Sequence, residues 1–132
     1  MDHSLEKDVS SFSSIIRSYE KMEQITTEGE QSKGWYMLVE GKVGVVKHNR
    51  QIAEFTERGV VLGELSYILN TPRTVSLIAL EPTKAVHFDM PLDQLIAEYP
   101  DVVKTILINL AERLAKTTEE FISFVEKDIH PK

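Results

Sequence analysis

The sequence contains no cysteine, so it has no disulfide framework, no thiolate nucleophile and no thiolate metal site, and it suits a reducing compartment. Long apolar runs are also missing, and the opening MDHSLEKDVSSF lacks the basic start and apolar stretch of an export signal. A cytoplasmic location is expected, with neither secretion nor membrane insertion. Basic charge is in deficit: 15 Lys and Arg against 21 Asp and Glu give a net charge of −6, which opposes general affinity for nucleic acid or anionic membrane. Any anionic ligand must therefore be small and held locally. The four histidines, His3, His48, His87 and His130, are scattered and show no metal-ligand spacing. No Gly-x-Ser-x-Gly turn or Ser-His-acid arrangement accompanies the serines. The chain is not expected to be an enzyme.

Glycine is absent from both ends, because all six glycines lie between Gly29 and Gly63. The 132 residues, 42% hydrophobic and 27% charged, match one soluble globular domain, and the glycine distribution divides it into helix, sheet and helix. In the first part, residues 1–22, Val9, Phe12, Ile15, Ile16 and Tyr19 predict a short amphipathic helix from about Asp8 to Lys21. In the second, 23–89, short runs rich in Val, Ile, Tyr and Phe are broken by turn-forming stretches. WYMLV is apolar throughout, as in a strand covered on both faces, and Gly41 and Gly59 fall where turns need positive φ. These features predict a mainly β fold, a jelly-roll-like β-barrel with flanking helices.

The third part, 91–127, returns to helical periodicity, with Pro91 at a first turn before LDQLIAEY and a long helix from about Asp101 to Lys127. Leu107, Leu110, Leu114, Thr117, Phe121 and Phe124 or Val125 recur at spacings of three and four along it. The seam outruns a small barrel, so a homodimer through this helix is expected, the alternative being a helix folded back over the barrel.

The stretch VLGELSYILNTPRTVSLIAL, residues 61–80, carries the chemistry. A short helix opening at Gly63 would turn unpaired N–H groups outward, a setting that attracts phosphate. Arg73 offers a planar, permanently charged fork for two parallel bonds to the same anion. Glu64 beside an anion makes sense if a sugar hydroxyl is its partner, so the pair suggests a nucleotide. Taken singly, Glu64 could serve only the helix dipole, Arg73 only an ion pair and Pro72 only a turn.

Taken together, LGELS and PRTVS resemble the phosphate-binding cassette of the cyclic-nucleotide-binding domain family, which includes the bacterial catabolite activator protein and the regulatory subunits of cyclic-AMP-dependent protein kinase. The Gly29-Glu30 turn, WYMLVEGKVGVV and EYPDVVKTILINLAERLAKTTEEF are similar to the family's strand, turn and long-helix pattern. The resemblance implies a cassette over 62–76, with Leu62, Gly63, Glu64, Leu65, Ser66, Pro72, Arg73 and Thr74 at the ligand. Glu64 would accept from the ribose 2′-hydroxyl, and Arg73 would pair with the cyclic phosphate. Gly63, Leu65 and Ser66 would contribute backbone N–H groups. Thr117 and Thr118 align with residues that read adenine in a dimer, which favours cyclic AMP, with cyclic GMP as the alternative. Leu62 in place of an aromatic residue, and Val60 in place of an acidic one, depart from the pattern without removing a ligand contact.

The resemblance implies a regulatory sensor that passes occupancy through its C-terminal helix to a partner or output domain not present in this sequence. No cofactor and no nucleic-acid partner are expected. The rival reading is a degenerate, nucleotide-free dimerisation or docking module, and a third is a truncated transcription regulator, for which this acidic chain supplies no reading helix.

Overall fold

The structure, a computed structural model, describes residues 15–129. Strands β1 (Ile16–Tyr19), β2 (Gln24–Thr26), β3 (Trp35–Glu40), β4 (Val43–Lys47), β5 (Arg50–Phe55), β6 (Val61–Leu62), β7 (Ser76–Ala79) and β8 (Thr83–Phe88) form two four-stranded sheets. One has the order β1-β8-β3-β6 and the other β2-β7-β4-β5, antiparallel throughout. The expected jelly-roll-like architecture is therefore present as a roll of two open sheets, not as a closed barrel. Helices α1 (Glu64–Leu69), α2 (Leu92–Glu98) and α3 (Pro100–Ile129) complete the described chain.

Strand β3 explains why WYMLV has no polar side. Successive side chains point to opposite faces of a strand. Trp35 and Met37 enter a core with Val61, Val86 and Phe88, which α2 and α3 cover through Leu95, Val102 and Ile106. Tyr36 and Leu38 enter a second core with Val43, Val45, Leu62, Leu77 and Ala85. Gly41 and Gly59 turn at φ 109° and 91°, as their places between the strand runs predicted.

The expected N-terminal helix is corrected in its second half. Ile16–Tyr19 is a strand, with Ile16 opposite Val86 and Tyr19 opposite Thr83 on β8. The helical spacing of Ile16 and Tyr19 lost to pairing with β8, which satisfies the backbone and packs Tyr19 against the second core. Residues 8–14 of that expected helix lie outside the described residues.

Helix α3 starts at Pro100, whose missing N–H has no intrahelical partner to lose. Its first turns pack on the roll through Val102 and Ile106. From Ala111 to Lys127 every side chain except Arg113 and Val125 is exposed.

Candidate functional site

The cassette is built from a sharp entry and a pinned exit. Strand β6 ends at Leu62, Gly63 takes φ 77°, and α1 runs to Asn70, which closes it in the left-handed region at φ 55°. The chain then returns to the Gly29-Glu30 turn. The Arg73 N–H donates to the Glu30 carbonyl at 2.7 Å, and the Gly29 N–H donates to the Arg73 carbonyl at 2.8 Å. These two bonds fix the root of the Arg73 side chain.

The Arg73 guanidinium reaches beneath the cassette. Its Nη1 donates to the Gly63 carbonyl at 2.8 Å and to Ser66 Oγ at 2.9 Å, while Nη2 donates to the Gly34 carbonyl at 2.9 Å. The residue is 6% exposed, and its charge meets only neutral acceptors, with no carboxylate within ion-pair distance among the described residues. Burial draws its pKa downward, yet a guanidinium stays charged in protein. Glycine is favoured at 63 by its φ of 77°, and a Cβ there would also stand 2.8 Å from Nη1.

Above the cassette lies a cavity of about 240 Å³. Leu62, Gly63, Glu64, Leu65 and Ser66 form one side of it, with Thr74 beside them. Val45, Ala53, Phe55 and Leu77 make an apolar wall, Thr26 adds a hydroxyl, and Arg113 reaches in from α3. Glu64 is 3% exposed, and its Oε2 accepts from Arg113 Nη1 at 2.8 Å. Arg113 Nη2 donates to the Val61 carbonyl, and the guanidinium carbon lies 5.3 Å from the Phe55 ring centroid. Burial pushes the Glu64 carboxyl above the ordinary carboxylate range. Arg113 and the N–H groups of Glu64 and Leu65 pull it back only in part.

The site therefore offers a buried acceptor, hydroxyl groups, an apolar wall and a cation behind the turn. Six of the residues singled out in the sequence border the cavity: Leu62, Gly63, Glu64, Leu65, Ser66 and Thr74. Arg73 lies behind the cassette and borders a neighbouring pocket instead. Pro72 is exposed in the turn, and Thr117 and Thr118 are exposed on α3; none of the three is part of the cavity lining. Sequence reasoning missed Arg113. Its signal was available, because it precedes Thr117 by four residues and so shares that face of the helix.

Among the described residues no group of three or more His, Cys, Asp or Glu is placed to hold a metal. No described helix is long and apolar enough to cross a membrane. His48 contacts Glu28, whereas His87 accepts from Arg17 Nε and contacts the Lys33 carbonyl.

Comparison with known proteins agrees with this geometry. A family model described as the cyclic nucleotide-binding domain matches residues 16–99, and the chain belongs to that family of regulatory domains. A cGMP-dependent protein kinase of Eimeria tenella is 30% identical over 81 residues, 61% of this chain and 8% of the kinase. The chain thus spans under a tenth of that curated relative. The Thermus thermophilus catabolite activator protein shares the fold at a TM-score of 0.74 and 24% identity, over 90% of this chain and 59% of that one. A cyclic nucleotide-binding domain from Methylobacillus flagellatus superposes at a TM-score of 0.68 and 25% identity, over 96% of this chain and 75% of that one.

Proposed function

We propose that the chain is a cytoplasmic cyclic-nucleotide sensor that takes cyclic AMP into the cavity above α1. The ribose 2′-hydroxyl donates to Glu64. The cyclic phosphate lies at the Gly63–Ser66 turn and Thr74 and draws on the charge of Arg73. The base lies against the Phe55 wall and faces α3. One observation carries this reading: a buried guanidinium held by neutral acceptors alone lies directly behind a turn that borders a nucleotide-sized cavity.

Occupancy would be passed on through α3, whose Arg113 already touches the cassette acidic residue. Leu107, Leu114 and Phe121, alternating with Leu110, Thr117 and Phe124, follow the heptad spacing of a two-stranded coiled coil. Leu114, Phe121 and Phe124 are each about two-thirds exposed, which supports a homodimer through this seam. A second helix there would bring Thr117 and Thr118 into an interface, and their resemblance to adenine-reading residues favours cyclic AMP over cyclic GMP.

Isothermal titration with cyclic AMP and with cyclic GMP tests the reading. Arg73→Ala should weaken binding by roughly 2–4 kcal/mol, because the turn loses both the charge behind a partly desolvated anion and the hydrogen bonds that hold its shape. Unchanged affinity would sink the cassette assignment. The rival docking module has one observation in its favour, since Glu64 and Arg73 both have partners within the chain. No heat with either nucleotide would decide for it.

A further inference from the structure

The pocket that Arg73 borders measures about 250 Å³ and adjoins the proposed nucleotide cavity, with Thr26 lining both. Glu30, Gln31, Lys33 and Tyr36 line it with Arg73. Both N–H groups on Arg73 Nη1 and one on Nη2 are engaged by Gly63, Ser66 and Gly34. The Nε–H and the second Nη2–H have no acceptor among the described residues. Lys33 is exposed and makes no ion pair among them either. Two cations thus face this pocket against the single carboxylate of Glu30, and burial keeps the Tyr36 hydroxyl protonated as a further donor.

We propose that this second pocket binds a small phosphate-type oxyanion, free or as a monoester, between Arg73 and Lys33, with Gln31 and Tyr36 as neutral donors. Such an anion opposes nucleotide binding, because the pocket and the cyclic phosphate draw on the one positive charge of Arg73. The competition rests on the proposed nucleotide reading; the anion site does not. In effect the sensor would respond to the ratio of cyclic nucleotide to phosphate.

The test compares the wild type with Lys33→Gln and Lys33→Glu in inorganic phosphate, glycerol 3-phosphate or chloride, all at one ionic strength. Phosphate should raise the wild-type Tm above the chloride control, less so in K33Q and not at all in K33E. At a phosphate concentration equal to its own Kd, the apparent Kd for cyclic AMP should rise in the wild type, by about twofold at full exclusion. K33Q should keep wild-type cyclic AMP affinity in chloride and lose most of the phosphate effect. Response to phosphate but not to glycerol 3-phosphate would identify the free ion as the ligand, and response to both would admit monoesters. Equal stabilisation of wild type and K33E would place phosphate in the nucleotide cavity and overturn the proposal, as would no stabilisation at all. If cyclic AMP fails to bind, the Tm series still decides the anion site. If it binds without any phosphate effect, only this proposal falls.

Discussion

Replacing Arg113 with methionine tests whether α3 is fastened to the cassette through Glu64. The bond removed is a charge-assisted one of 2.8 Å, a class that contributes roughly 1.5–3 kcal/mol. Glu64 is left 3% exposed with no counter-ion, and breaking a buried pair in this way costs about 3–5 kcal/mol. The Arg113 side chain is 35% exposed, however, so water already screens its end of the pair. The expected loss is therefore near the lower range, about 2 kcal/mol, with methionine retaining part of the apolar contact on Phe55. Urea unfolding at one fixed protein concentration, run on R113M, E64Q and the double variant, isolates the pair, and a coupling energy of about 1–2 kcal/mol is expected. The pH dependence has a definite sign. Burial already holds the folded Glu64 carboxyl above its ordinary value of 4.5, and losing Arg113 raises it further. Folding then takes up a proton between the two values, so R113M regains stability as pH falls into that window and loses it as pH rises through it. A loss below about 0.5 kcal/mol, or a coupling energy within error, would show that the contact does not fasten α3.

Glu64→Gln should leave Tm at pH 7 at or above that of the wild type, because a neutral amide removes the desolvated charge and the released Arg113 is hydrated. The same variant should bind cyclic AMP more weakly, so a large fall in Tm would contradict the balance argued here. Gly63→Ala places a side chain at φ 77°, for about 1–2 kcal/mol of backbone strain, and sets a methyl 2.8 Å from Arg73 Nη1. Its urea midpoint and its nucleotide affinity should both drop, and an unperturbed affinity would show that the position of Arg73 is not critical. Leu114→Glu with Phe121→Glu puts charge into the exposed seam of α3 and should turn a dimer into a monomer in sedimentation experiments. A mass unchanged from the wild type would refute the seam as the interface.

The parts legible in the sequence were those where local pattern and tertiary structure agree. WYMLV declared its burial on both faces because a strand between two cores has no polar side. The cassette was legible through the resemblance of LGELS and PRTVS, two stretches that the fold joins where Arg73 donates to the Gly63 carbonyl and Ser66 Oγ. The N-terminal segment was misread because Ile16 and Tyr19 fit a helical spacing as well as a strand, and only the partner strand β8 decides between them. The lining of the cavity was mostly illegible for a related reason. Val45, Ala53 and Phe55 look like ordinary strand residues, and only the tertiary structure brings them to the cavity beside the cassette. The charge of Arg73 was legible in the sequence, but the acceptors that hold its guanidinium, the Gly63 and Gly34 carbonyls and Ser66 Oγ, come together only in the fold.

The position of Glu64 also determines the sign of any coupling between ligand and helix. An ionised carboxylate accepts at two oxygens, and Arg113 occupies only Oε2, so a ribose hydroxyl on Oε1 need not displace it. A hydroxyl donating to Glu64 favours the ionised form, which burial otherwise opposes. An ionised Glu64 in turn holds Arg113, and α3 with it, more firmly. On the proposed reading, then, nucleotide and docked helix stabilise each other, and the effect is reciprocal: whatever the ligand adds to helix docking, the docked helix adds to ligand affinity. R113M should accordingly weaken cyclic AMP binding, whereas a rival arrangement, in which Arg113 blocks the ribose site, demands that R113M bind more tightly. The direction of that single shift in Kd separates a latch closed by ligand from one opened by it.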